Sequence, residues 1–261
     1  MPTTIVTGGL YAAAGALYLM VLWGQQERLA TIARLVLALA VLAHAADIAA
    51  HCLRGAHPAS SVREAVSFTA FVIVVTYLAL AWRYRLAAVG ALVAPVALML
   101  MMTARVSPRV APATGIGLLG RVHITLAVVG VALFAVAALA SALYLVQATQ
   151  LKRKSFGSLF RHGPPLEQLD TIVQKCVGIG FPIFTVAIVL GALWMARLGG
   201  AARAMPQYLL ALVTWFAFAA LLLTRAVAGW HGRRAALLAI LGFVSSLAVV
   251  VLYLLRAVAR A

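Results

Sequence analysis

Acidic side chains are nearly missing: five in 261 residues, against 21 Lys and Arg, for a formal net charge of +16. Only 10% of the residues are charged and 65% are apolar, whereas a soluble domain is close to half apolar and a quarter charged. A soluble globular class is excluded. Cysteine is scarce as well, and Cys52 and Cys176 fall at the ends of different apolar runs, expected on opposite faces of a membrane, so a disulfide between them is excluded. There is no C-x-x-C-H for covalent haem attachment and no cysteine pair at zinc spacing. A G-x-S-x-G elbow, a P-loop, H-E-x-x-H and a dinucleotide fingerprint are all absent, so the chain is read as not an enzyme. The basic residues lie in ones and twos, without interleaved aromatics, which speaks for membrane anchoring and against nucleic acid.

What is present is a series of apolar runs, each near the roughly 20 residues that span a bilayer. Charged and Pro/Gly-rich breaks separate eight of them, at 4–23, 31–53, 62–82, 86–104, 117–149, 170–196, 205–228 and 235–258. The expected fold is all-α, a polytopic helix bundle in which residues 1–261 form one integral membrane domain. The first run has no Lys or Arg before Arg28, unlike a signal peptide, so it reads as a permanent span. An even number of spans puts both termini on one side. The only dense basic cluster, Lys152-Arg153-Lys154, assigns its set of loops to the cytoplasm, so both termini are expected outside a bacterial inner membrane. The long polar connection from Gln150 to Gln168 is then cytoplasmic. No internal repeat favours an inverted-repeat transporter. Segment five exceeds a bilayer's need and is expected to tilt or run on to Lys152, until Gly163-Pro164-Pro165 stops the chain. Ser61 and Glu64 have capping-box spacing, which explains Glu64 structurally.

An ionisable side chain inside a span is costly and marks a candidate site. Segment two carries His44, Asp47 and His51, which at 100° per residue fall within an arc of about 60° on one helical face. Asp47, one turn from both imidazoles, could accept a ring N–H and leave the other nitrogen for a metal. Three readings stay open: a purely structural polar cluster, a zinc site without a strong signature, and a larger ligand whose iron accepts imidazole. His123 is the second candidate. It lies roughly 9 Å into segment five, and His44 roughly 13 Å into segment two, both from the outer side. Two imidazoles at matching depth could clasp a planar iron porphyrin from opposite faces. His57 reads as a solvated outer-loop residue, His162 and His231 as solvated cytoplasmic ones, and the Met99, Met101, Met102 run as packing.

Several pieces in order carry a resemblance. They are Ala43-His44-Ala45 with the following segment through Glu64, Val122-His123-Ile124-Thr125-Leu126 leading to Gln150-Leu151-Lys152-Arg153-Lys154, and Pro164-Pro165-Leu166-Glu167. Thr214-Trp215-Phe216 through Gly229-Trp230-His231-Gly232-Arg233-Arg234 completes the set. From segment two onward the chain resembles the cytochrome c assembly family of membrane proteins that includes CcsA (ResC), and most closely its smaller HemX/YpjD-like branch. The resemblance implies an eight-helix inner-membrane protein that handles haem, non-covalent and b-type here, with His123 at the family's outer-facing histidine. Three features of the synthetase-type members are missing. The outer loop Arg197 to Pro206 has no Trp or Asp, Leu223 stands where an intramembrane histidine is expected, and the chain ends at Ala261 about where a last outer histidine would come.

The leading expectation is therefore a haem-binding or haem-delivering relative rather than a complete lyase. His44 and His123 are its axial ligands and Asp47 orients His44, with His51 on the same stripe. Arg105, Arg109 or Arg121 are available for propionates. Partners would be the lipid bilayer, haem, and cytochrome c assembly proteins or a haem-synthesis enzyme. The alternatives are a HemX-like regulator of tetrapyrrole synthesis acting through Lys152 to Arg161 without its own haem, and a small-molecule transporter.

Overall fold

The computed structural model describes residues 2–24, 27–55, 57–58, 60–107, 117–154, 163–197 and 201–258. Every apolar run has become a helix: α1 (Pro2–Gly24), α2 (Glu27–Leu53), α3 (Val62–Arg83), α4 (Ala87–Val106), α5 (Leu118–Lys152), α6 (Leu166–Arg197), α7 (Ala201–Ala228) and α8 (Arg233–Val258). Among the described residues there is no strand, and all eight helices are long and apolar enough to cross a membrane. A helix is the natural form for such runs because lipid offers backbone groups no partner, so each N–H and C=O must be satisfied within its own segment. The chain is a multi-pass membrane protein.

Ser61 starts α3 as expected: it is extended, and its hydroxyl accepts the Glu64 N–H at 3.2 Å. Helix α5 does run on to Lys152, about 53 Å at 1.5 Å per residue. The stretch from Arg197 to Pro206 departs from expectation, since α7 already begins at Ala201. Ala201-Ala202-Arg203-Ala204 is rich in the strongest helix former, and this outweighs the following proline.

The helices form two halves. In the first, α1 packs on α2 and α4, and α3 on α4; in the second, α5 packs broadly on α6 and α8, and α7 lies on α6 and α8. Helix α3 joins the halves by packing on α5. The core of the second half centres on Phe134, stacked on Phe218 at 3.7 Å and edge-on to Phe184 at 5.4 Å. The core of the first half centres on Tyr18 and Tyr77, which meet where Gly90 of α4 leaves no side chain in the way. Large apolar side chains such as Leu42 and Phe216 face outward, as a lipid-facing surface requires.

Lys175 near the start of α6 donates to the Tyr84 hydroxyl at the end of α3, at 2.7 Å. This contact fixes the relative polarity of the halves. One end of the bundle, the His44 end, gathers the starts of α1, α3, α5 and α7 with the ends of α2, α4, α6 and α8; the other, the Asp170 end, gathers the opposite termini. At the Asp170 end, Arg225 of α7 pairs with Asp170 of α6, whose other carboxylate oxygen accepts the Gly232 N–H at 3.1 Å, at the start of α8. Three helices thus meet on one carboxylate. The turn behind it needs glycine: Gly229 and Gly232 have φ of 62° and 66°, and a Cβ on Gly232 would lie 2.5 Å from the Tyr144 hydroxyl.

The two cysteines are free, Cys52 exposed and Cys176 buried. Met101 is buried while Met99 and Met102 are largely exposed, so that run serves packing and lipid contact.

Candidate functional site

Two polar clusters occupy the end of the bundle where α1, α3, α5 and α7 begin. The first is built on α2. His44 is fully buried, and both its ring nitrogens are engaged: Nδ1 with the Tyr11 hydroxyl of α1 at 2.9 Å, and Nε2 with the Ser67 hydroxyl of α3 at 3.0 Å. Each hydroxyl can donate or accept, so either tautomer of the neutral ring is satisfied. Tyr11 and Phe71 stand edge-on to the imidazole, each at 5.8 Å. The sequence stripe supplied the histidine; its partners came from two other helices.

Asp47 lies one turn nearer the surface. It does not take the His44 N–H as the spacing suggested. Its carboxylate accepts Thr3 Oγ1 at 2.6 Å and Arg105 Nη2 at 2.5 Å. A carboxylate leaving water is best compensated by a cation and charge-assisted hydrogen bonds, and those partners sit above it, toward the surface. Arg105 is therefore committed to Asp47 and not available for a ligand's carboxylates. His51 donates from Nδ1 to the Asp47 carbonyl at 2.8 Å, with the Asp47 carboxylate 3.8 Å away. The result is a ladder from Arg105 and His51 at the mouth, through Asp47, toward His44 below.

The second cluster is built on α5 and α6. His123 Nδ1 donates to the Ala187 carbonyl at 2.7 Å. This bond fixes one tautomer, with Nε2 as the basic nitrogen. Among the described residues Nε2 has no hydrogen-bond partner. The ring lies against Gly191, where a Cβ would stand 2.6 Å from Cε1, 3.0 Å from Nδ1 and 3.2 Å from Nε2, and 6.0 Å from the Trp194 ring. Ala187, Gly191 and Trp194 share one stripe of α6, at spacings of four and three residues. A ring nitrogen anchored on a carbonyl, with no hydrogen bond to the opposite nitrogen, is the arrangement by which proteins present histidine to a metal. Gly191→Ala should push the imidazole off the Ala187 carbonyl. We expect a loss of about 1–3 kcal/mol, seen as a lowered thermal midpoint together with an altered His123 ring signal by nitrogen NMR.

The two histidines occupy the same end but separate clusters. Helix α2 packs on α1 and α3, whereas α5 packs on α3, α4, α6 and α8. Helix α3 thus borders both, and no hydrogen bond or ring contact joins the two among the described residues. Arg121, two residues before His123, is exposed. His231 is exposed and donates to the Gly229 carbonyl at 2.6 Å, and His57 lies in the turn before α3. Arg109 and His162 lie outside the described residues, as does Arg161 at the end of the basic segment. Sequence reading missed Tyr11, Ser67, Ala187 and Gly191. The only signal for them was a tyrosine and a serine placed inside otherwise apolar spans, and a glycine within a long helix.

Comparison with known proteins bears on the whole of this bundle. A family model described as cytochrome C assembly protein matches residues 29–257. The chain is similar to the cytochrome c biogenesis protein CcsA of Gloeobacter violaceus, 42% identical over 90 residues that make up 34% of this chain and 27% of that one. It is also similar to CcsA of a Nostoc species, 44% identical over 79 residues, 30% of this chain and 22% of that one. With CcsA of Guillardia theta the likeness is longer: 30% identity over 214 residues, 73% of this chain and 71% of its relative. No solved structure matches the chain. A match that runs from the start of α2 to the end of α8 takes in both histidines, and the chain belongs to the cytochrome c assembly family of membrane proteins.

Proposed function

We propose that this protein holds b-type haem, non-covalently, near the outer end of its bundle and acts as a haem-handling component of cytochrome c assembly, by binding rather than catalysis. The observation that carries this reading is the His123 seat. Its imidazole is held through Nδ1 by Ala187, leaves Nε2 without a hydrogen-bond partner among the described residues, and is flanked by Gly191, Trp194 and apolar helix surface, a donor and a setting that suit a porphyrin iron. Haem bound there would supply a redox-active, transferable iron porphyrin; the protein supplies the ligand, its orientation and exclusion of water.

His44 is the second ligand in this reading. Tyr11 would keep its Nδ1 oriented while Nε2 exchanged the Ser67 hydroxyl for iron. Asp47 and His51 form the polar mouth above it, and Arg121 belongs to the rim of the His123 seat. Helix α3 packs on both α2 and α5, so it borders both histidines, and they either share one iron beside it or each serve a site of their own.

The charge distribution supports an orientation with the termini outside the bacterial inner membrane. Among the described side chains the Asp170 end exposes Arg28, Arg83, Arg85, Lys152, Arg153, Lys154, Lys175, Arg233 and Arg234 against Glu167 as its exposed acid. Such an end belongs in the cytoplasm. The stretch Arg197 to Pro206 has no Trp and no Asp, and this supports a holding or delivering role over ligation to apocytochrome.

The test is a haem titration of the purified protein followed in the Soret region. Wild type should develop a Soret band, and His123→Ala should lose or shift it. His44→Ala, measured separately, reports whether the second histidine shares the iron. No band in wild type after haem supplementation, or a band unchanged in both variants, overturns the proposal.

A further inference from the structure

Lys175 of α6 donates to the Tyr84 hydroxyl at 2.7 Å, and its ammonium lies 5.2 Å from the centre of the same ring. Tyr84 is the residue just past the end of α3, between Arg83 and Arg85, and Trp82 precedes them. Arg83 and Lys175 are both exposed, and among the described residues neither has an acidic partner. A phenol orients an ammonium through its hydroxyl and ring but does not cancel the charge. The acids of this end do not cancel it either. Asp170 is held by Arg225. Glu167 lies eight residues before Lys175, about 12 Å away along α6 and about 80° round it. Glu27 opens α2, and its side chain lies outside the described residues.

These cations stand at the edge of a lipid-facing surface. Lys175, Ile179, Pro182 and Val186 follow one stripe of α6 at spacings of four, three and four, and all are exposed. On α3, Trp82 is 90% exposed, and Val75 stands two turns below it on the same side, also exposed. Apolar side chains give way to an indole and then to cations, which is the order of hydrocarbon, interface and headgroups. Helix α6 begins nine residues before Lys175, about 14 Å further out, whereas α3 ends at this level. The first half of the bundle thus stops at the headgroup layer while the second continues, and Lys175 and Arg83 face the corner between them. We propose that Trp82, Arg83 and Lys175 bind the phosphate of an anionic phospholipid in the leaflet at the Asp170 end. Charge complementarity selects this occupant: two uncompensated cations at headgroup depth call for a phosphate, and the apolar stripes below them receive its acyl chains. One lipid then bridges α3 and α6, and so ties together halves that the chain itself joins through α3.

The test follows the thermal midpoint of the full-length protein in micelles of an uncharged detergent as phosphatidylglycerol or phosphatidylcholine is added. Wild type should reach half of its stabilisation at about tenfold less phosphatidylglycerol than phosphatidylcholine, the scale of two cations near a membrane surface. Arg83→Gln/Lys175→Gln should respond to both lipids alike. Each single variant, expected to show an intermediate preference, carries the comparison if the double variant folds poorly. Tyr84→Phe removes the hydrogen bond but keeps both charges, and should retain the preference. Arg233→Gln/Arg234→Gln removes two exposed cations from α8 at the same end and should retain it too. Equal response of wild type to the two lipids, an undiminished preference without Arg83 and Lys175, or its loss in the α8 variant overturns the site. Stabilisation of the same size by inorganic phosphate or by polyglutamate would assign these cations to a soluble anion or an acidic protein, and overturns the lipid.

Discussion

Asp170→Ala should lower stability by about 3–5 kcal/mol, the cost of stripping a buried ion pair of one partner. The size follows from what is left behind. The Arg225 side chain is 6% exposed, and its Nε and Nη1 are already buried without hydrogen-bond partners. Asp170 is its one counter-charge, and the same carboxylate anchors the Gly232 N–H that starts α8. Removing it leaves a bare guanidinium among three helices. The reverse change, Arg225→Met, should cost less. The Asp170 side chain is 17% exposed and would keep both its contact with solvent and its place at the α8 N-terminus, where a negative charge is favoured. Thermal unfolding of the purified variants in detergent gives the comparison, and Asp170→Leu/Arg225→Met should recover much of the loss. Equal effects of the two single changes would show that the pair is not organised around the buried cation.

Gly90→Ala is the second severe change. A methyl group there would stand 2.3 Å from the Tyr77 hydroxyl and 2.8 Å from Cζ of both Tyr18 and Tyr77. Neither ring can retreat: both are within 1% of full burial, and the Tyr77 hydroxyl is tied to the Leu86 carbonyl at 3.1 Å. Forced overpacking of this kind costs about 1–3 kcal/mol and sometimes more, and here three helices, α1, α3 and α4, must part to admit it. Adding Tyr77→Phe to Gly90→Ala removes the closest clash but not the Cζ contacts, so recovery should be partial. Gly9→Ala on α1 is the control, since nothing lies within 4 Å of that position; it should be neutral or slightly stabilising, as helix propensity dictates. A Gly90→Ala protein that melts with the Gly9→Ala control would refute the packing account.

The architecture was legible because it depends on one signal, the length of apolar runs, which acts through the solvent and not through partners. All eight spans, and the cap at Ser61, came from composition and local chemistry alone. The sites were legible only in part. The stripe His44, Asp47, His51 lies on one helix and follows from periodicity, but which group each side chain bonds depends on helix neighbours. Asp47 turned to Thr3 and Arg105 because a cation lay within reach, 58 residues away in sequence, and His44 took the hydroxyls of Tyr11 and Ser67 instead. His123 could be picked out as an imidazole in a span. Its orientation comes from a backbone carbonyl and a missing side chain on α6, and neither a carbonyl nor an absence announces itself in a sequence.

Helix α5 is about 53 Å long, and even at a tilt of 40° it projects about 40 Å along the bilayer normal. The hydrocarbon layer is about 30 Å thick. No plausible lean hides the surplus, so part of this rod stands beyond the acyl chains as a stiff mast. Lys152, Arg153 and Lys154 ride at its tip, all exposed, carried past the oily interior by geometry alone. Whatever approaches the molecule from that side encounters this raised positive knob ahead of the flatter surface around it.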